Sequence, residues 1–220
     1  MLVKGLNHLA FITSDMEATI RFYRDLLEMD LISGIGHDGF RHYFFKCGDG
    51  AVAFFEYEIA QPMAYDKFHG SPTNKPIGFD HVSFTVDSRE KLFHLKDKLE
   101  AASIDVSDAV DHGTIWSIYF FDPINNLPLE ASWDCVTIST VPAILDSNPL
   151  PAAQEGAAPQ PGQWPEVTAP TPPEQMTARP GNGAAMRDDF VRRGIARLSP
   201  DLEKILDRQE SVSPVRPAAE

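Results

Sequence analysis

Two histidines and two glutamates recur at matched places in two stretches of this chain. LNHLAFITSDMEATIRFYRDLL, starting at Leu6, aligns without gaps on FDHVSFTVDSREKLFHLKDKLE, starting at Phe79. His8 falls on His81, Phe11 on Phe84, Glu17 on Glu90 and Leu26 on Leu99. Each copy then runs on to a glutamate in an apolar context, Glu56 in AVAFFEYE and Glu130 in LPLEASW. Imidazole nitrogen and carboxylate oxygen converging from separate strands are what a divalent metal takes. Two His and one carboxylate on one face leave open positions and describe a non-haem Fe(II) centre that admits substrate and O2 together. Four protein ligands of the His2Glu2 kind leave fewer positions and suit Lewis-acid or proton-transfer work with Ni, Zn or Co divalent ions. Each residue taken singly reads equally well as a buried, hydrogen-bonded side chain, since a lone match is weak evidence. The repeated register is what sets them apart.

The elements that must position these groups read the same way twice: strand, helix, then three strands. The first copy opens with a strand over Leu6 to Thr13. A helix capped by Ser14 or Asp15 follows, with Ile20, Tyr23, Leu26 and Leu27 at helical spacing. Strands are predicted over Asp30 to Ile35, Arg41 to Lys46 and Ala51 to Glu58, with turns at HDG and CGDG. The second copy predicts a strand over Asp80 to Val86, a helix over Arg89 to Ala101, and strands near Asp105, over Ile115 to Phe121 and over Leu127 to Trp133. Module one spans 1–58, a Pro- and Gly-containing connection 59–78, and module two 79–140.

Beyond the modules the composition changes. Residues 141–180 are loaded with Pro, Ala, Gly and Gln and read as an extended or disordered linker, too poor in apolar surface to offset chain entropy. Residues 181–220 hold two short helical candidates, MRDDFVRRGIARL and SPDLEKILDRQ. In the second, Ser199 is placed as N-cap and Pro200 at the first helical position. A net charge of -13 argues against nucleic acid, whose binding rests on cationic phosphate contacts. No apolar run approaches the ~18 residues that span a bilayer. No secretory leader is evident, and Cys47 and Cys135 make no disulfide framework, so a cytoplasmic setting is the expectation.

On these residues the chain resembles the vicinal oxygen chelate superfamily, which includes glyoxalase I, extradiol ring-cleavage dioxygenases and antibiotic-resistance proteins. The resemblance covers Leu2 to Trp133 and implies an α+β fold: two paired βαβββ modules forming a cupped, barrel-like mixed sheet around a metal. It implies His8, His81 and Glu130 as ligands, with Glu56 as a fourth in the glyoxalase-like case. The run DHGTIWSIYFFDP, from Asp111 to Pro123, looks like the corresponding segment of type I extradiol dioxygenases. That likeness implies His112 as a histidine next to the ligands that moves a proton, and Tyr119 as the active-site tyrosine. The activity implied is Fe(II)-dependent cleavage of a catecholic ring with O2, in a homodimer. The alternative is a glyoxalase-like isomerase or lyase with Ni, Zn or Co. A non-catalytic binder of small aromatics or antibiotics would lack the metal residues, and this chain keeps all four.

Two departures from the extradiol pattern bear on the site. DPINNLPLE is one residue longer between Asp122 and Glu130 than the common spacing, and an inserted residue turns a strand's side chains over unless a bulge absorbs it. Asn125-Asn126 is the place for such a bulge. Gly50 stands where many two-domain extradiol enzymes carry a further histidine. His37, His42, His69 and His94 read as surface or structural, although His42 and Phe44 are placed to line a cavity.

Overall fold

A computed structural model describes residues 5–37, 39–63, 69–72, 80–162, 164–179, 181 and 183–212, the last six by backbone alone. Phe79 and most of the connection between the modules lie outside the described residues. The first module begins with β1 (His8–Thr13), then α1 (Met16–Ile20). The Asp15 carboxylate caps α1, accepting the Ala18 N–H at 2.9 Å. The helix widens without a break into a π-helical stretch, Arg21–Leu26, which Leu27 closes by donating its N–H to Phe22 O at 2.9 Å. That wider turn puts the neighbouring residues Phe22 and Tyr23 both into the core. β2 (Leu31–His37), β3 (Phe40–Cys47) and β4 (Gly50–Glu56) follow, and the sheet runs β1-β4-β3-β2 with β1 and β4 parallel.

The second module repeats the plan with β5 (Val82–Thr85), α2 (Arg89–Ala101, capped by Ser88), β6 (Val110–Asp111), β7 (Ile115–Phe121) and β8 (Pro128–Asp134). Its sheet runs β5-β8-β7-β6. The α+β arrangement of two βαβββ modules is therefore as expected, but the sheets are cupped and open-edged, not closed into a barrel. The strand expected near Asp105 is only a single bridge, Val106 to Phe120. There the Ser107 hydroxyl accepts the Tyr119 N–H at 2.9 Å in place of a ladder bond, and the pairing resumes as β6.

In each sheet one face packs on helices and the other is open. Along β8, Leu129 and Ala131 join Phe84, Leu92, Leu99, Ile118 and Phe120 in the core. Glu130 and Ser132, between them, point the other way, as the two-residue period of a strand requires. In module one, Tyr23, Phe45, Val52 and Phe54 form the matching core.

One buried polar cluster joins the modules. The Tyr23 hydroxyl donates to Asp122 Oδ2 at 3.0 Å, and neither residue is more than 1% exposed. Burial, and then the Asp122 carboxylate, push the Tyr23 phenol well above its ordinary pKa. Asp122 also accepts from Ile124 N (2.7 Å), Asn125 N (3.0 Å) and Asn125 Nδ2 (2.9 Å). Asn126 takes the left-handed conformation at φ 56°, and the Asp122 N–H reaches Leu127 O at 2.9 Å. The extra residue of DPINNLPLE is thus spent inside the turn before β8 begins, and Glu130 keeps its direction.

The chain divides into two units, Met1–Trp164 and Pro165–Glu220. The second unit holds α3 (Ala184–Arg192) and α4 (Pro200–Val212), and the Ser199 hydroxyl accepts the Leu202 N–H at 3.3 Å, as a cap. Among the described residues no helix is long and apolar enough to cross a membrane. Replacing Tyr23 by Phe removes one of the donors to a buried carboxylate and is expected to cost about 1–2 kcal/mol. A urea unfolding midpoint shifted by that amount, with an unchanged slope, is the check.

Candidate metal centre

His81 lies one residue before β5, and its ring is held from both sides. Nδ1 is 2.6 Å from Asp80 Oδ1, and Nε2 is 2.8 Å from Glu130 Oε2. Asp80 is itself held by the Gly70 N–H at 2.9 Å. The Glu130 side chain is only 5% exposed and sits over three hydroxyls, Ser83, Ser117 and Ser132, linked by contacts of 2.7 Å and 3.0 Å. Burial pushes the Glu130 carboxyl up, but the Ser117 and Ser132 hydroxyls, His81 and Ser83 together outweigh it and hold the group below its ordinary range. It is a carboxylate at neutral pH.

Tyr119 stands opposite Glu130 in the β7–β8 register, and its hydroxyl is 2.7 Å from His112 Nε2. Burial and the neighbouring Glu130 carboxylate push the Tyr119 phenol up to about 12, so it remains protonated. His112 follows β6, placed by Gly113 at φ 86° and by its own N–H bond to Ile115 O at 2.9 Å. His69 completes the group. It is buried, with its ring 4.9 Å from that of Tyr119, 5.5 Å from that of His81 and 5.1 Å from that of Phe121. Burial and His81 hold its imidazole below the ordinary value. The sequence reading assigned His69 a surface or structural role, because a connection has no periodicity from which a direction could be read.

The residues fit a divalent ion. With Nδ1–H donating to Asp80, His81 turns its Nε2 lone pair toward a carboxylate lone pair, an arrangement that repels unless a cation or proton lies between. Two donors each about 2.1 Å from one metal at right angles stand about 3 Å apart, close to the separation seen. Asp80 holds His81 through the other ring nitrogen, as a carboxylate orienting a metal-bound histidine would.

The two remaining candidates lie elsewhere. His8 is exposed at the start of β1, with Nδ1 2.8 Å from Asn7 Oδ1 and its ring edge-on to Phe44 at 5.7 Å. Within the chain it does not join His81 and Glu130: no three His, Cys, Asp or Glu among the described residues converge to hold an ion. Glu56 corrects the expectation of matched carboxylates. It pairs with Thr13, not His8, in the β1–β4 register, about 16 Å further along the strand at ~3.3 Å per residue. There it accepts the Met16 N–H at 2.9 Å and forms an ion pair with Arg41. Ser83 pairs with Glu130 in module two, and the equivalent Ala10 pairs with Ala53 in module one. The counterpart of Glu130 is therefore Ala53. Gly50 also has a structural reason: a Cβ there would lie 2.6 Å from the Leu6 carbonyl oxygen, so the position admits no side chain.

Fold and site together define a two-module α+β protein with a candidate metal centre on the open face of its second sheet. The chain belongs to the Glyoxalase/Bleomycin resistance protein/Dioxygenase superfamily, whose family profile matches residues 5–128. Among solved structures it is similar to a glyoxylase/bleomycin resistance protein/dioxygenase domain from Frankia sp. EAN1pec, at 22% identity and TM-score 0.50, over 60% of this chain and 93% of that one. It is also similar to lactoylglutathione lyase from Agrobacterium tumefaciens, at 24% identity and TM-score 0.44, over 60% and 96%. A third is the fosfomycin resistance protein FosX from Listeria monocytogenes, complexed with Mn(II) and sulfate, at 17% identity and TM-score 0.47, over 61% and 96%.

Replacing Asp80 by Asn is expected to weaken metal affinity roughly 10- to 100-fold. Glu130→Gln is expected to abolish tight binding, and Glu56→Gln to leave stoichiometry unchanged while lowering stability slightly. Elemental analysis of purified protein and competition with a chelator read all three.

Proposed function

We propose that this protein is an Fe(II)-dependent extradiol dioxygenase that cleaves a catecholic ring with O2. The observation that carries this reading is the Tyr119–His112 contact at 2.7 Å beside the His81–Glu130 pair. In the proposal His81 and Glu130 hold the iron with His8, and Ala53 at the fourth position leaves room for ligands that are not protein. When bound, Fe(II) supplies adjacent open positions for the two catechol oxygens and for O2, and electronic contact between them. The chain's own residues do the rest. Tyr119, protonated at neutral pH, gives its single hydroxyl proton to the hydrogen bond with His112 Nε2 and accepts a hydrogen bond from a substrate hydroxyl. His112, at the far side of that hydroxyl, takes and returns the proton that the catechol must lose. The serine hydroxyls keep Glu130 ionised, Asp80 holds the His81 ring in place, and His69 and Phe121 wall the site against water.

Because His8 stands apart from the pair within one chain, the proposed third ligand comes from a second copy. Two-fold pairing lets one copy's first sheet cover the other's second sheet, with two equivalent sites per homodimer. The isomerase reading needs a fourth protein carboxylate, and Glu56 is engaged with Arg41 and Met16 instead.

Protein loaded anaerobically with Fe(II) and then exposed to air is expected to turn over one or more members of a catechol panel. Consumption of one O2 per ring and a yellow product are the readouts. A metal-replete protein inert toward the panel sinks the activity. Equimolar mixing of His8→Ala and Glu130→Ala protomers, each inactive alone, is expected to restore about a quarter of the wild-type rate, since half the dimers are mixed and each mixed dimer has one intact site. No recovery after subunit exchange sinks the shared site.

A further inference from the structure

The open face of the first sheet carries an aromatic shelf that begins at His8. Phe44 lies between the His8 ring, at 5.7 Å, and the His42 ring, at 4.3 Å. His42 in turn stacks on Phe55, centroids 3.6 Å apart and planes 13° from parallel. Ala53 pairs with Phe44 in the β3–β4 register, and its methyl leaves the space that a larger side chain would fill. His42 Nε2 is buried and has no hydrogen-bond partner among the described residues. A polar nitrogen kept from water without a partner costs free energy that a ligand atom can recover. The charge of the face is one-sided. Lys46 shares it with His42, and the described residues of β1, β3 and β4 place no Asp or Glu on it.

We propose that this shelf is the ring-binding wall of the site and that His42, through Nε2–H, anchors a carboxylate substituent, so that the substrate class is an aromatic acid. The inference rests on the reading of His8 as a metal ligand, which sets the reacting end of the ring beside Phe44 and the substituent toward His42. Contact with Phe44 and with the edge of the His42–Phe55 stack holds the plane of the ring, and Lys46 adds long-range attraction for the anion. The diol and the carboxylate then lie at opposite ends of one planar molecule.

Calorimetric titration of the full chain without O2 tests this with three probes: 3,4-dihydroxybenzoate, 4-methylcatechol and benzoate. His42→Phe keeps the stack on Phe55 and removes the donor. It is expected to weaken 3,4-dihydroxybenzoate and benzoate about tenfold, as loss of a hydrogen bond to a charged group does, and to leave 4-methylcatechol within about twofold. His42→Gln is expected to recover part of the loss. Equal weakening of all three probes, or of none, overturns the proposal, because a merely structural role does not separate a carboxylate from a methyl group. Benzoate has no vicinal hydroxyls to chelate a metal. Benzoate binding that depends on His42, in a protein that cleaves no catechol, upholds the aromatic-acid site and removes the dioxygenase. Ring cleavage with no carboxylate preference at His42 does the reverse.

Discussion

The carboxylate of Asp122, buried at the turn between β7 and β8, governs most of what this structure can do. It gathers the Tyr23 hydroxyl from the other module, two backbone N–H groups and the Asn125 amide around one side chain. A buried carboxylate is costly unless its acceptor sites are filled, so this turn has few alternative shapes. Its shape decides where β8 starts, and the start of β8 decides which of its residues face the core. A slip of one residue would exchange Glu130 for Leu129 or Ala131 on the open face. The same contact ties the π-helical stretch of module one to module two, so the two halves are held together at the point that orients the candidate ligand.

A second constraint acts on that ligand itself. Glu130 is an anion on a largely dry sheet surface, and three serine hydroxyls with one imidazole offset its desolvation. Ser83, Ser117 and Ser132 come from three neighbouring strands, so the small polar cradle is a product of register and not of local sequence. The cradle keeps one carboxylate oxygen toward His81. Tyr119 and His112 are aligned by the same ladder, since Tyr119 pairs directly with Glu130 and His112 closes the hairpin that leads into β7. The groups that would bind a metal and those that would handle a proton are therefore fixed by one sheet.

The two modules share a frame but not a chemistry. At equivalent positions module two has Ser83 and Glu130 where module one has Ala10 and Ala53. Module two is polar on its open face, with acid, hydroxyls and imidazoles. Module one is aromatic there, and its own acid, Glu56, turns toward the helix side to cap α1 and pair with Arg41. One face suits ions and the other suits a flat ring. A site formed between two unlike walls would draw on that asymmetry, and in the proposed shared site His8 would come from the aromatic wall.

Much of this is legible in the residue order alone. Repeated apolar spacing, a cap at Ser14 or Asp15, and the paired histidines define two βαβββ modules, because local patterns of period two and near four depend only on neighbouring residues. His81, Glu130, His112 and Tyr119 were also legible, being anchored to strands whose direction the pattern sets. Glu56 is not the counterpart of Glu130, since the β3–β4 turn is shorter than the turn holding Asp122 and residue order alone does not reveal the offset. His69 read only as surface or structural: it comes from a connection, and its burial against His81 and Tyr119 depends on where the chain crosses the sheet. The tertiary structure alone decided which groups converge, because convergence depends on strand register and on contacts between residues far apart in the chain, such as Tyr23 and Asp122, 99 positions apart. Neither leaves a periodic trace along the chain.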